Sequence, residues 1–140
     1  MLTLAANYDE GLMAAEQIAR AQKLSLKYLE SLLSSLKAAG LIVSKLGTRG
    51  GYTLSRSPTE ISLFDILIPL EETLDIVRCT EDGDDCDRNG ICSTQQVWKE
   101  IRDAVEDMLR KTTLADLLEK QKILDQIGGS VGTTGSESSR

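Results

Sequence analysis

Apolar residues recur at three- and four-residue spacing through Leu26, Leu29, Leu32, Leu33 and Leu36, which lays them along one face of a helix reaching about Ala39. Ser25 stands before it as an N-cap, its hydroxyl able to accept from a free backbone N–H. Gly40 follows as the residue past the helix end that can take a positive φ. Upstream, Leu2–Ala6 reads as the end of a helix whose beginning is missing. Ala14–Ala21 reads as a short helix with Ile18 and its flanking alanines inward, followed by a turn at Gln22–Leu24. Downstream, Leu41–Leu46 and Tyr52–Ser55 read as two strands. They are joined by Gly47-Thr48-Arg49-Gly50-Gly51, a run rich in residues that allow a tight turn. Helix, helix, helix, β-hairpin is the order of a winged helix-turn-helix.

Beyond the hairpin, Ser62 with Asp65 three residues on predicts a capped helix that bends or ends near Pro69. Trp98, Ile101, Val105, Met108 and Leu109 form one apolar stripe, predicting an amphipathic helix over Trp98–Arg110. Such a helix spans about 20 Å. Its stripe is more than a small winged helix can cover, so a twin helix in a homodimer is the expected cover. Thr113 predicts a cap for a last short helix, Leu114–Gln121. Gly128–Arg140 is low in complexity and expected to be disordered. The expected fold is mainly α with a β-hairpin wing (α+β). It divides into a DNA-reading region over 1–60, a loop and dimerisation helices over 61–127, and a tail over 128–140.

Composition narrows the class. No apolar run approaches the ~20 residues of a membrane span, and the first residues lack the pattern of a signal peptide. The chain therefore reads as cytoplasmic. Net charge is −6, but unevenly placed. Residues 1–60 carry seven Lys and Arg against five Asp and Glu, whereas residues 61–127 carry eight against sixteen. A mildly basic half precedes a strongly acidic one, which by itself does not decide for or against nucleic acid. An enzyme is not indicated: the chain has no histidine, no phosphate-binding glycine motif and no nucleophile paired with a base.

The chemistry concentrates in Cys79, Cys86 and Cys92, its only cysteines, within an acidic stretch from about Val77 to Thr94. An odd number of clustered thiols in a reducing compartment points to a metal or redox site rather than a disulfide framework. The spacing is C-x6-C-x5-C. Closed zinc sites want four Cys or His ligands, often in close pairs. Wide thiolate spacing suits an iron–sulfur cluster held from several directions. A fourth ligand must then come from a carboxylate, Gln95, a partner subunit, or a small thiol or water. Asp85, Asp87, Asn89 and Gly90 imitate the start of a calcium loop, but Gln96 stands where that loop needs a bidentate carboxylate. Three unligated thiols in a flexible loop is the plain alternative.

In a helix-turn-helix the second helix enters the major groove. Its leading residues here are Ser25, Lys27, Tyr28, Glu30 and Ser31, with Lys23 and Lys37 as candidate phosphate contacts. Arg49 at the hairpin tip, beside Gly50 and Gly51, is placed to reach a minor groove. A helical hairpin on a β-ribbon without a nucleic-acid role, or with a protein partner, is the alternative.

The runs Y-L-E-S-L-L-S-S-L-K-A-A-G-L-I, G-T-R-G-G-Y-T-L and I-S-L-F-D-I, followed by three cysteines, resemble the Rrf2 family of bacterial regulators. The segment C-S-T-Q-Q-V-W-K-E-I with T-T-L-A-D-L-L resembles its IscR-like branch. The resemblance covers about residues 1–127. It implies a homodimer crossing at the helix of Trp98–Arg110, double-stranded DNA with a palindromic operator as partner, and a cluster on Cys79, Cys86 and Cys92, [2Fe–2S] ahead of [4Fe–4S]. It implies a regulator that senses cluster, iron or redox status. The alternatives are a cluster-free regulator of sulfur metabolism, or a dimerising interaction module. The chain departs from the pattern in four places. Gln95 replaces a histidine ligand, and a basic opening of about a dozen residues is lacking. Leu46 stands where the wing often has arginine, and the first cysteine gap is one residue longer.

Overall fold

In the computed structural model, residues 1–70, 88 and 90–131 are described. Three helices come first: α1 (Leu2–Ala6), α2 (Ala15–Gln22) and α3 (Leu26–Ala38). The turn from α2 to α3 is made at Lys23, whose φ of 54° reverses the chain, and the Leu24 N–H donates back to the Ala19 carbonyl at 2.9 Å. Ser25 caps α3, its Oγ accepting the Tyr28 N–H at 3.3 Å. Leu29, Leu33 and Leu36 are buried, so the expected stripe is real. Leu26, at the first turn, does not share it and is exposed.

Gly40, at φ 71°, ends α3 and delivers the chain into β1 (Ile42–Lys45), which pairs antiparallel with β2 (Gly51–Leu54). The register is Ile42 with Leu54, Val43 with Thr53, Ser44 with Tyr52 and Lys45 with Gly51. A third stretch of backbone joins the hairpin. The Met13 N–H donates to the Tyr52 carbonyl at 3.0 Å, and Tyr52 returns the bond at 2.8 Å. This pairing anchors the wing to the loop before α2. Ile42 and Leu54 close over Leu4, Ile18, Leu33 and Leu36, forming a core that continues to Ile61, Ile66 and Leu114.

A short 3-10 turn (Pro58–Glu60) leads to α4 (Leu63–Leu67). Ser62 and Asp65 form the expected reciprocal cap: the Asp65 N–H donates to Ser62 Oγ at 3.2 Å, and the Ser62 N–H donates to Asp65 Oδ2 at 3.0 Å. The next described helices are α5 (Ser93–Lys111) and α6 (Leu114–Val131). The junction between them pairs with the start of α4: the Leu63 N–H donates to the Thr112 carbonyl at 2.8 Å, and the Leu114 N–H to the Ile61 carbonyl at 2.9 Å. Thr113 caps α6, accepting the Asp116 N–H at 3.2 Å.

Two helices are longer than their patterns predict. α5 begins at Ser93, not Trp98, so it takes in the end of the expected cysteine loop. Its first turn, Ser93–Gln96, is polar, and apolar periodicity cannot register a polar turn. α6 runs ten residues past Gln121 because Lys122–Gln126 continue with residues that favour helix. It also takes in Gly128 to Val131, the start of the stretch expected to be a tail.

Candidate nucleic-acid interface and metal centre

The candidate reading surface is built by α3 and the wing. Burial of Leu29, Leu33 and Leu36 turns the opposite face of α3 outward. Lys27, Glu30 and Ser31 lie exposed on it, with Tyr28 56% exposed. Lys23 and Ser25 are exposed at the turn just before. The structure thus gathers the six sequence-predicted residues of the helix on one turn and the first part of one helix. Lys37 differs: its ammonium donates to Ser44 Oγ at 2.6 Å, tying the end of α3 to β1.

At the hairpin tip Arg49 is exposed, and Leu46 beside it is 95% exposed. Gly50 and Gly51 are half-buried. A side chain on Gly51 would bring its Cβ to 2.4 Å from the Met13 carbonyl oxygen. Gly51 therefore lets the wing lie against the loop before α2.

Of the three cysteines, Cys79 and Cys86 lie outside the described residues, as does the expected acidic loop as far as Asp87. Among the described residues no group of three His, Cys, Asp or Glu side chains is placed to hold a metal ion. Cys92 is a free, half-buried thiol at the N-cap of α5. It makes no side-chain cap hydrogen bond. The Gln95 backbone N–H nonetheless holds its pKa below the ordinary thiol value, with smaller help from Thr94 and Arg88, against the opposing effect of burial. This favours the thiolate, the form that binds metal.

Gln95 was a candidate fourth ligand. It is 5% exposed, and its Oε1 accepts the Gly90 N–H at 3.1 Å. No periodic signal marks this burial, because Gln95 precedes the apolar stripe.

The stripe itself is divided. Ile101, Val105 and Met108 are exposed, at 37%, 41% and 69%, while Trp98 and Leu109 are half-buried. Val97, not predicted, joins the exposed set at 53%. Further along, Ile123, Leu124 and Ile127 are exposed on α6, and sequence reasoning missed them because the helix was expected to stop earlier. Near the far end of α5 the Arg110 guanidinium lies 3.4 Å from the centroid of Phe64, so α5 is held to α4 by a cation–π contact.

The family model for Rrf2, described as Iron-dependent Transcriptional regulator, matches residues 1–120. The HTH-type transcriptional regulator IscR of Pectobacterium carotovorum is 34% identical over 125 residues, 89% of this chain and 76% of that protein. Protein rrf2 of Nitratidesulfovibrio vulgaris is 37% identical over 118 residues, 84% of this chain and 79% of its own length. Among solved structures, CymR, the global cysteine regulator of B. subtilis, superposes with a TM-score of 0.71 at 37% identity, covering 85% of this chain and 87% of CymR. T. potens IscR superposes at 0.69 with 34% identity, covering 86% and 78%. No described helix is long and apolar enough to cross a membrane.

Proposed function

The chain belongs to the Rrf2 family of transcriptional regulators, and from that premise we propose that it binds palindromic double-stranded DNA as a homodimer and answers to an iron–sulfur cluster held by Cys79, Cys86 and Cys92. In this reading Ser25, Lys27, Tyr28, Glu30 and Ser31 face the major groove, Lys27 and Lys23 reach phosphates, and the Arg49 tip of the wing meets a minor groove and its flanking phosphates. The cytoplasm is the expected compartment, where thiols stay reduced.

The observation that carries the proposal is the path of α5. It begins at a thiol whose pKa is lowered, and it ends in backbone pairing with the start of α4, against the reader's core. A ligand held at one end of a rigid helix can thereby bias the placement of the reader at the other. The donor set fits the cluster: soft thiolates, at least one of them favoured in its charged form. When bound, a cluster supplies redox- and iron-dependent occupancy. The chain's own residues supply thiolates, the stiff helix and the DNA surface. The exposed residues Val97, Ile101, Val105 and Met108 are the proposed dimer seam, with Trp98 and Leu109 at its margin against the same chain.

Anaerobically purified protein is expected to be coloured, with iron and sulfide in comparable amounts, and Cys86→Ala or Cys92→Ala is expected to abolish both. DNA binding should differ between loaded and cluster-free protein. Colourless protein that resists reconstitution, or that takes only zinc, overturns the cluster. A second reading, a cluster-free regulator of sulfur metabolism, is favoured by the likeness to CymR, the global cysteine regulator of B. subtilis. It predicts operator binding that is indifferent to iron and sulfide.

A further inference from the structure

A Gln or Glu at the third position of a helix ordinarily reaches back to the backbone N–H of the N-cap residue. In α5 the N-cap is Cys92, and Gln95 holds the third position. Its Oε1 accepts from Gly90, two residues upstream of the N-cap, at 3.1 Å. The approach is shaped for this bond. Gly90 takes φ 82°, and the Ile91 N–H donates to the Arg88 carbonyl at 3.1 Å. Gln95 is 5% exposed, a buried polar side chain in a helical turn whose other members are exposed.

We propose that Gln95 is a positioning residue for Cys92: it clasps Gly90 to the first turn of α5, closes a ring of chain around Cys92 and so fixes the direction of its sulfur. The inference rests on the cluster reading and deepens it. Two arguments separate a clasp from a ligand. A neutral carboxamide oxygen is a poor partner for iron in a thiolate-held cluster, where soft sulfur or imidazole is preferred. Withdrawing Oε1 would also cost the Gly90 N–H its part-buried protein acceptor, a bond worth about 1 kcal/mol. The fourth ligand is then supplied from elsewhere, and the clasp acts on the cluster only through Cys92.

The test compares wild type with Gln95→Ala and Gln95→Glu. In cluster-free protein, amide exchange at Gly90 is expected to be roughly 5-fold faster in Q95A, the effect of one lost hydrogen bond. Q95E is expected to restore protection, because a carboxylate accepts the same N–H and suits a helix N-terminus. In reconstituted protein, the absorption and reduced-state EPR of Q95A are expected to match wild type in position, with loss to a chelator several-fold faster. Unchanged exchange at Gly90 in Q95A overturns the clasp. A shifted EPR spectrum in Q95A that Q95E restores makes Gln95 a ligand and overturns it equally. Should Q95A fail to fold by circular dichroism, Q95E decides: protection at Gly90 equal to wild type supports the clasp, and its loss overturns it. A wild-type protein that takes no cluster sinks the functional reading, and the exchange comparison in cluster-free protein still tests the clasp.

Discussion

Cys92 stands where the free amides of a helix begin, which is why backbone N–H groups lead the influences that lower its pKa. The Gln95 N–H is the largest influence, and Arg88 adds a smaller one of the same sign. In protein carrying Cys79→Ser and Cys86→Ser, iodoacetamide should therefore modify Cys92 with a pH midpoint below that of free cysteine. A midpoint at or above the free value would show that the helix end exerts no such control. Asp65 illustrates the same physics at the start of α4. The Ser62 backbone N–H lowers its pKa most, followed by the Ser62 hydroxyl, Arg56 and Arg110, against an opposing effect of burial. A carboxylate whose folded pKa is depressed adds stability that is present above its unfolded pKa and is lost as pH falls through the folded one. Asp65→Ala should then cost about 1 kcal/mol at neutral pH, as lost caps do. The deficit should shrink below pH ~4, the ordinary range of an Asp carboxyl. Thermal melts of both proteins across that range check it, and a deficit that is constant with pH would remove the carboxylate's charge from the account.

At the scale of elements, the wing and α5 carry different kinds of dependence. The wing is held by main chain: Tyr52 exchanges two hydrogen bonds with Met13, and Gly51 permits the approach. Gly51→Ala forces either the wing or the loop before α2 to move. It should cost about 1–3 kcal/mol, in the range of other overpacking substitutions, seen as a lower denaturant midpoint. It should also weaken DNA binding more than Thr48→Ala does. α5 depends on side chains. Ile101→Asp and Val105→Asp place charge on its exposed apolar stripe, the proposed dimer seam, so both variants should be monomeric by light scattering with unchanged circular dichroism. Dimers in both would put the interface elsewhere. Caps, turn glycines and apolar period are local signals. Thus α3, the hairpin and α4 are legible from Ser25, Leu29–Leu36, Gly40 and the Ser62–Asp65 pair alone. The true start of α5 and end of α6 are not, since a polar first turn and an exposed apolar last stretch carry no core-facing period. Nor is the clasp of Gln95 legible, because a glutamine in a polar loop gives no sign that it is buried.

Across the whole molecule, charge is segregated: residues 1–60 carry a net +2 and residues 61–127 a net −8. A reader with so few cations must draw its phosphate contacts from a small set, and the structure sorts that set by availability. Lys27 is exposed on the outer face of α3 and Arg49 at the wing tip, whereas Lys37 is already bonded to Ser44 at 2.6 Å. Each phosphate contact contributes ~0.9 to the slope of log affinity against log salt. Lys27→Ala and Arg49→Ala should thus each flatten the slope by about one, with the larger affinity loss at low salt. Lys37→Ala should flatten it far less, and should instead lower stability slightly by releasing α3 from β1. The acidic half flattens all four slopes alike, because its repulsion is also screened by salt and opposes the loss of affinity as salt rises. Binding isotherms for wild type and the three variants on one palindromic duplex, over a salt series, measure all of this together. Equal slopes in all four proteins would mean that neither the outer face of α3 nor the wing tip touches the phosphate backbone, and that DNA is met by another surface.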